Sequence, residues 1–436
     1  MNKKFTYLIL LFVFFGLTAF VVIRYTGNRN EKKLTDYPLK KREGAMAQLP
    51  EWATVKEAGD KLYRQVREQP SDVKSKLALS SLYIQEGRAT GNYNYYNEAA
   101  MKYIDDVLVL QPQSFEALSL KASIQLSQHH FAEALQTAAA AQKINPYNAF
   151  IYGVTIDGNV EMGNYTAAVE ASDKMMSIRP DIRSYSRVAY LREIHGDVPG
   201  AIEAMQMAVD AGGYGDEPSA WARIQLARLY QTAGNLKAAE MHYTIAQTQR
   251  PGYPYAAEGL AHIAVANKDY TNAEKLFQQA IATSPDYALK EELAKFYLSR
   301  NQNEKAGKLL DEIITELTAS TAQDEQSTNH HAGKDLAYIY LLKNDVTNAE
   351  KYVMAEYNTR PDNIDVNAAV AWVLYKKGDA KAALPYLDKA LITGMKDATV
   401  LNHAVVIYQQ AGETEKAKNI TAKLVTNYPA PALSNK

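Results

Sequence analysis

Residues 227–251 read ARLYQTAGNLKAAEMHYTIAQTQRP. Ala227 stands three residues before Tyr230, which stands four before Gly234; beyond that glycine come Ala239, Tyr243 and Ala246, and the stretch closes on Pro251. Spacings of three and four place each set on one face of a helix. Alanine at a crossing point lets two helices approach closely, and a tyrosine fills the space beside it. Gly234 tolerates the left-handed backbone of a tight turn, and Pro251 cannot continue a helix. The stretch predicts two short helices packed on each other, with a stop at the end.

The same pattern recurs outward in both directions. Pro112, Pro146 and Pro180 are 34 apart, Pro251 and Pro285 are again 34 apart, and Pro361 to Pro429 is twice that. A tyrosine precedes a turn residue by four at Tyr83 to Gly87, Tyr297 to Asn301, Tyr340 to Asn344 and Tyr408 to Gly412, with Ala294 and Ala337 three before two of these tyrosines. The second-helix pattern returns as Ala273-Phe277-Ala280 and Ala383-Leu387-Ala390. The third unit departs from the pattern at Ile156 and Asn159, and the fourth ends at Gly213 in place of a proline. A fixed period of this length, in a chain of 436 residues, predicts one repeat array where length alone allows about three domains.

On these residues the chain resembles the tetratricopeptide repeat family. The resemblance spans about ten units over residues 75–429, preceded by a half unit at 51–70 in which Ala58, Leu62 and Pro70 stand in the second-helix positions. It implies an all-α, right-handed superhelical α-solenoid whose concave face is built by the first helix of each unit. Carried onto this sequence, the concave positions are Tyr190, Arg228, His262, Lys295, Tyr338 and Trp372, with Arg183, Trp221 and Tyr255 one turn earlier on the same helices. The equivalent early positions are Ser81, Ser123 and Asp157. Aromatic faces with Arg and Lys suit an extended peptide or protein segment carrying carboxylates. The alternative for each ring is packing against the neighbouring unit.

Two stretches interrupt the period. Residues 88–95 (RATGNYNY) are expected to lengthen a turn and to place Tyr93, Tyr95 and Tyr96 there, as a contact site or as packing over the solenoid's end. The polar insertion at 320–331 lacks apolar periodicity and is expected to be a mobile loop, open to proteolysis.

At the amino terminus, Lys3 and Lys4 precede nineteen uncharged residues from Phe5 to Ile23 (FTYLILLFVFFGLTAFVVI), long enough to span a membrane as a helix. Residues 1–24 are expected to be an uncleaved signal-anchor, 25–50 a basic juxtamembrane linker and 430–436 a tail. The alternative is a cleaved signal peptide and a secreted or periplasmic protein, although the best approximation to a small-x-small cleavage site, Gly16-Leu17-Thr18, lies in the middle of the run. Seven basic residues after the run (Arg24, Arg29, Lys32, Lys33, Lys40, Lys41 and Arg42) favour a cytoplasmic solenoid by the positive-inside rule. The short Lys-Lys head has the form of a signal n-region, and long domains translocate largely regardless of charge. The expected location is the bacterial inner membrane, with the solenoid on the periplasmic side.

The chemistry is sparse. The 48 basic and 49 acidic residues cancel to a net charge of -1, which gives no long-range attraction for nucleic acid, so no nucleic-acid partner is expected. RNA recognition by helical repeats stays a minor alternative. With no cysteine, disulfides, thiolate metal sites and thiol nucleophiles are excluded. No phosphate loop, Gly-x-Ser-x-Gly elbow or His-Glu-x-x-His motif occurs. No enzyme activity, cofactor or metal is expected; the one pairing worth testing for an enzyme built on the repeats is Glu258 with His262, four apart on one helix face. His129 falls at a turn position, and Asp105-Asp106 and Glu291-Glu292 are expected to be solvated, since adjacent helical residues point about 100° apart.

Overall fold

The computed structural model describes residues 37–321 and 332–427. Among these, no helix is long and apolar enough to cross a membrane. The apolar run at 5–23, the linker as far as 36, the insertion from 322 to 331 and the tail lie outside the described residues. The chain divides into two units, residues 1–40 and 41–436. Of the first, residues 37–40 are described and have no regular secondary structure.

The second unit is helical throughout its described length. A short 3-10 turn (Gly44–Gln48) leads into a lone helix, α1 (Pro50–Glu68). Ten packed pairs follow among the described residues: α2 (Val73–Thr90) with α3 (Tyr93–Leu110), α4 (Phe115–Ser127) with α5 (Phe131–Ile144), α6 (Ala149–Glu161) with α7 (Tyr165–Ile178), α8 (Ile182–Ile194) with α9 (Val198–Asp210) and α10 (Glu217–Thr232) with α11 (Leu236–Gln249). The series continues with α12 (Pro254–Ala266) and α13 (Tyr270–Thr283), α14 (Tyr287–Ser299) and α15 (Asn303–Thr321), α16 (Gly333–Leu342) and α17 (Val346–Thr359), α18 (Ile364–Lys376) and α19 (Ala380–Ala390), and α20 (Ala398–Ala411) and α21 (Thr414–Asn427).

Turn chemistry explains why the helices break where they do. Most pairs are joined by a residue in the left-handed region, followed by an N-cap for the second helix. Gly234, at φ 78°, precedes Asn235, whose side chain accepts from the Ala238 N–H; Asn344, at φ 60°, precedes Asp345, which accepts from Asn348. His129, at φ 62°, is such a turn residue, as expected. First helices are capped in the same way by Asp72, Ser114, Asn148, Asp216, Asn363 and Asp397.

The repeat positions form the core. Ala227, Ala239 and Ala246 are fully buried and Tyr243 is 1% exposed; Ala273-Phe277-Ala280 and Ala383-Leu387-Ala390 are equally inaccessible. Each apolar cluster joins one pair to the next. Ala273 and Phe277 of α13, for example, pack with Leu293, Ala294 and Phe296 of α14 and with Leu310 and Ile313 of α15.

The first unit corrects an expectation. Residues 88–95 do not lengthen the turn, because α2 runs on to Thr90 and α3 begins at Tyr93. The turn glycine is Gly91, at φ 74°, while Gly87 is helical. The inserted residues extend both helices, and Tyr96 is buried with its ring 5.6 Å from that of Tyr83. Arg42, which belongs to the stretch expected to be a basic juxtamembrane linker, is buried and pairs with Glu86 at 2.5 Å and Glu51 at 3.1 Å.

The solenoid closes on itself after one superhelical turn. Arg250 reaches Glu51 at 2.8 Å and Arg360 pairs with Glu161, both across 199 residues. Over the same separation the Tyr165 hydroxyl accepts from the Ile364 N–H at 2.8 Å. Asn363 donates to the Glu161 carbonyl at 3.0 Å, and Gly163 and Gly196 sit so close to Asp362 and Gly394 that a Cβ on either would overlap backbone. Successive turns therefore touch, and the concave face lines a walled bore.

Candidate functional site

The bore contains a cavity of about 1890 Å³ bounded by the first helices of successive pairs from α2 to α14. Ser81, Ser123, Asp157, Tyr190, Arg228 and His262 all line it, as do Arg183, Trp221 and Tyr255 from one turn earlier. Phe115 and Phe150, which open α4 and α6, add two aromatic walls. Lys295, Tyr338 and Trp372 are not among its lining residues. Tyr338 packs against the cluster of Ala337, Val366 and Val370. Trp372 is stacked face to face on His403, with centroids 3.5 Å apart, so its ring packs on the neighbouring unit. Burial, aided by Lys376, lowers the His403 pKa to about 4.

The cations expected to meet a ligand are already partnered. Arg228 donates to Glu258 Oε2 at 2.9 Å; His262 Nε2 lies 3.0 Å from Glu258 Oε1 and 3.3 Å from Glu292 Oε2. Lys295 completes the row, 2.8 Å from Glu292 Oε1 and 2.7 Å from Glu291 Oε1. This ladder crosses α10, α12 and α14. It corrects the reading of Glu291-Glu292 as a solvated pair: the two do point apart, but both bind Lys295, and Glu292 turns back to His262. Burial opposes charge on His262, yet hydrogen bonds to Glu258 and Glu292 lift its pKa to about 9. Burial likewise raises Glu292, but the bond from His262 and the charge of Lys295 overcome it and hold that carboxyl at about 2.

Sequence reasoning missed the rule that generates the ladder. Asp157 and Arg187 share two bonds, Arg187 Nε to Oδ1 at 2.8 Å and Nη2 to Oδ2 at 2.6 Å, across 30 residues. Arg228 and Glu258 are also 30 apart. His262 and Glu292 repeat the interval. One repeat minus one helical turn is 30, so opposite charges at that spacing on first helices are a readable signal that short-range spacing does not contain.

Arg183 is the exception along the wall. Its side chain is exposed to the cavity, and among the described residues no carboxylate accepts a hydrogen bond from its guanidinium. Burial by the surrounding walls lowers its pKa, and Arg88, Arg187 and Arg179 add to that against the pull of Asp181. Glu193, on the same helix, is pushed up to about 7 by burial and by the like charges of Asp397 and Asp365, with only Arg228 opposing. The cavity thus offers the Arg183 guanidinium, short of negative partners among the described residues, beside aromatic walls.

Comparison with known proteins agrees with this architecture. Tetratricopeptide repeat models match residues 224–288 and 264–323. No curated protein sequence matches the chain. Among solved structures, the APC/C hetero-tetramer Cut9–Hcn1 aligns at 15% identity over 76% of this chain and 61% of that one, TM-score 0.48, so this chain spans about three fifths of its length. A tetratricopeptide repeat protein from Parabacteroides merdae aligns at 15% identity over 58% of this chain and 96% of that one, TM-score 0.43. The human IFIT1 dimer with m7Gppp-AAAA aligns at 14% over 79% and 78%, TM-score 0.48. These likenesses concern fold alone.

Proposed function

We propose that the chain is a non-enzymatic scaffold that holds an extended segment of a partner protein in the bore of its solenoid. One observation carries the reading: concave residues from seven successive first helices line one cavity, at about 1890 Å³ well above the roughly 300–1,000 Å³ of small-molecule sites. Tyr190, Trp221, Tyr255, Phe115 and Phe150 supply apolar surface, and Arg183 supplies a charge for a carboxylate of the segment. Arg228, His262 and Lys295 keep the wall in shape instead of meeting the ligand directly. Selection from a displayed random-peptide library tests this. Enriched peptides should contain Asp or Glu and should bind the Arg183→Glu chain at least about tenfold more weakly, a loss of about 1.4 kcal/mol; equal binding to both chains rejects the reading.

We further propose that the scaffold is tethered at a bacterial inner membrane by residues 5–23, with the solenoid on the periplasmic side. The nineteen uncharged residues and the Lys-Lys head support this. Protease treatment of intact and permeabilised cells tests it through the 320–331 segment: cleavage restricted to cells with an opened inner membrane places the solenoid in the cytoplasm instead. A mature amino terminus beyond residue 24 in the recovered protein replaces the anchor with a cleaved signal peptide.

A further inference from the structure

Glu258, His262 and Glu292 bring three metal-ligating side chains to one point of the wall. Their ligand atoms, Oε1 of Glu258, Nε2 of His262 and Oε2 of Glu292, lie within 4.8 Å of one another, with separations of 3.0 and 3.3 Å from the imidazole nitrogen. Ligands about 2.1 Å from one ion stand roughly 3.0–3.4 Å apart, so the two spacings from the imidazole nitrogen already suit a metal, and the carboxylate oxygens, within 4.8 Å of each other, would close on it. The other oxygen of each carboxylate is occupied: Arg228 holds Oε2 of Glu258 at 2.9 Å, and Lys295 holds Oε1 of Glu292 at 2.8 Å. Those outer bonds orient the carboxylates so that their remaining oxygens face the histidine, the role that outer partners play around metal ligands.

The frame is rigid. Glu258 and His262 are i and i+4 on α12, and Glu292 comes from α14, the next first helix. Glu258 is almost fully buried, while His262 and Glu292 are part-exposed on the cavity wall, leaving a further coordination position open to the bore. Binding must displace the proton that Glu258 and Glu292 hold on His262, which leaves to solvent; with the imidazole then neutral, Arg228 and Lys295 set two positive charges against three negative ones on Glu258, Glu291 and Glu292. A cation is therefore drawn to the point where the three ligand atoms meet.

We infer that Glu258, His262 and Glu292 form a binding site for a divalent first-row transition ion, with one open coordination position facing the bore. Two carboxylate oxygens and one imidazole nitrogen suit ions of the manganese-to-zinc series better than Ca²⁺ or Mg²⁺, which favour oxygen alone. The inference is independent of peptide binding and stands or falls on metal chemistry.

The test uses Mn²⁺ and the full chain. Loss of the free-ion electron paramagnetic resonance signal counts bound equivalents, and ring-labelled histidines locate them by paramagnetic broadening. The expected result is one bound equivalent that broadens His262 before any of the other seven histidines. Glu292→Gln should weaken binding about tenfold or more with helical circular dichroism unchanged, whereas Glu291→Gln, which removes a nearby charge but no ligand atom, should weaken it by clearly less. Absence of a bound equivalent, or broadening that begins at another histidine, overturns the inference without recourse to any variant. Undiminished affinity in Glu292→Gln overturns it as well.

Discussion

Gly259 shows how one position in the repeat is decided by its neighbour. It lies within α12, where alanine would be favoured by about 0.5–1 kcal/mol on helix propensity. A Cβ there would overlap the ring of Tyr243, which is 1% exposed and tied through its hydroxyl to Gln231 at 3.0 Å. Overpacking a closed core costs about 1–3 kcal/mol, so packing should win. Gly259→Ala is expected to lower the denaturation midpoint, and a raised midpoint would mean that the Tyr243 ring has room to move. Glu193 makes a second test at this scale. Its pKa, about 7 in the folded chain, stands above the ordinary value of 4.5, so the folded state holds a proton that the unfolded state releases earlier. Stability should therefore fall as pH rises from about 4.5 to 7 and then level off. Glu193→Gln should melt at the same temperature as wild type near pH 4.5 and at a higher one at pH 8; equal melting at both would show that neither burial nor Asp397 and Asp365 raises its pKa.

Between helices, the interval of 30 residues links first helix to first helix along the bore. The Asp157–Arg187 contact is its clearest instance, because the guanidinium makes two parallel bonds and both side chains are only part-exposed. Bidentate geometry lifts such a pair above an ordinary surface ion pair. A double-mutant cycle with Asp157→Asn and Arg187→Gln should give a coupling energy of about 1 kcal/mol in urea denaturation, and a value near zero would reduce the ladder to incidental contacts. The same interval explains what was legible in the sequence. Helix pairs, turns and core were readable because Ala227, Tyr230, Gly234 and Tyr243 act within one unit, where periods of three and four apply. Concave positions such as Tyr190, Arg228 and His262 were readable by register. Their pairing was not, since Arg228 with Glu258 and His262 with Glu292 depend on how adjacent units stack. The fate of Trp372 was hidden for the same reason: its partner, His403, belongs to the next first helix.

At the scale of the whole solenoid, a separation of 199 residues governs. Arg250 and Arg360 each end a second helix directly before a proline, and each reaches back one superhelical turn, to Glu51 and to Glu161. Arg179 has the same local sequence but pairs at 3.2 Å with Asp181 in its own turn, so the Arg-Pro dipeptide alone does not identify a clasp. Both clasping guanidiniums are nearly inaccessible, at 1% and 4% side-chain exposure. Arg360 also holds Glu356 at 2.7 Å, and burial raises the pKa of Glu161 against the pull of Arg360. Removing Arg360 leaves two carboxylates beside each other without their cation, a loss of about 3–5 kcal/mol at a buried pair. The share of that energy carried by Glu161 lies at the seam between turns, whereas each helix pair keeps its own apolar core. The Arg250→Ala/Arg360→Ala chain should therefore keep its helical circular dichroism while its radius of gyration in solution scattering rises, because the turns separate before the repeats unfold. An unchanged radius would show that backbone approaches such as Gly163 on Asp362 and Gly196 on Gly394 close the bore without the arginines. In that case a partner segment would have to enter from an end of the solenoid, not through a parted seam.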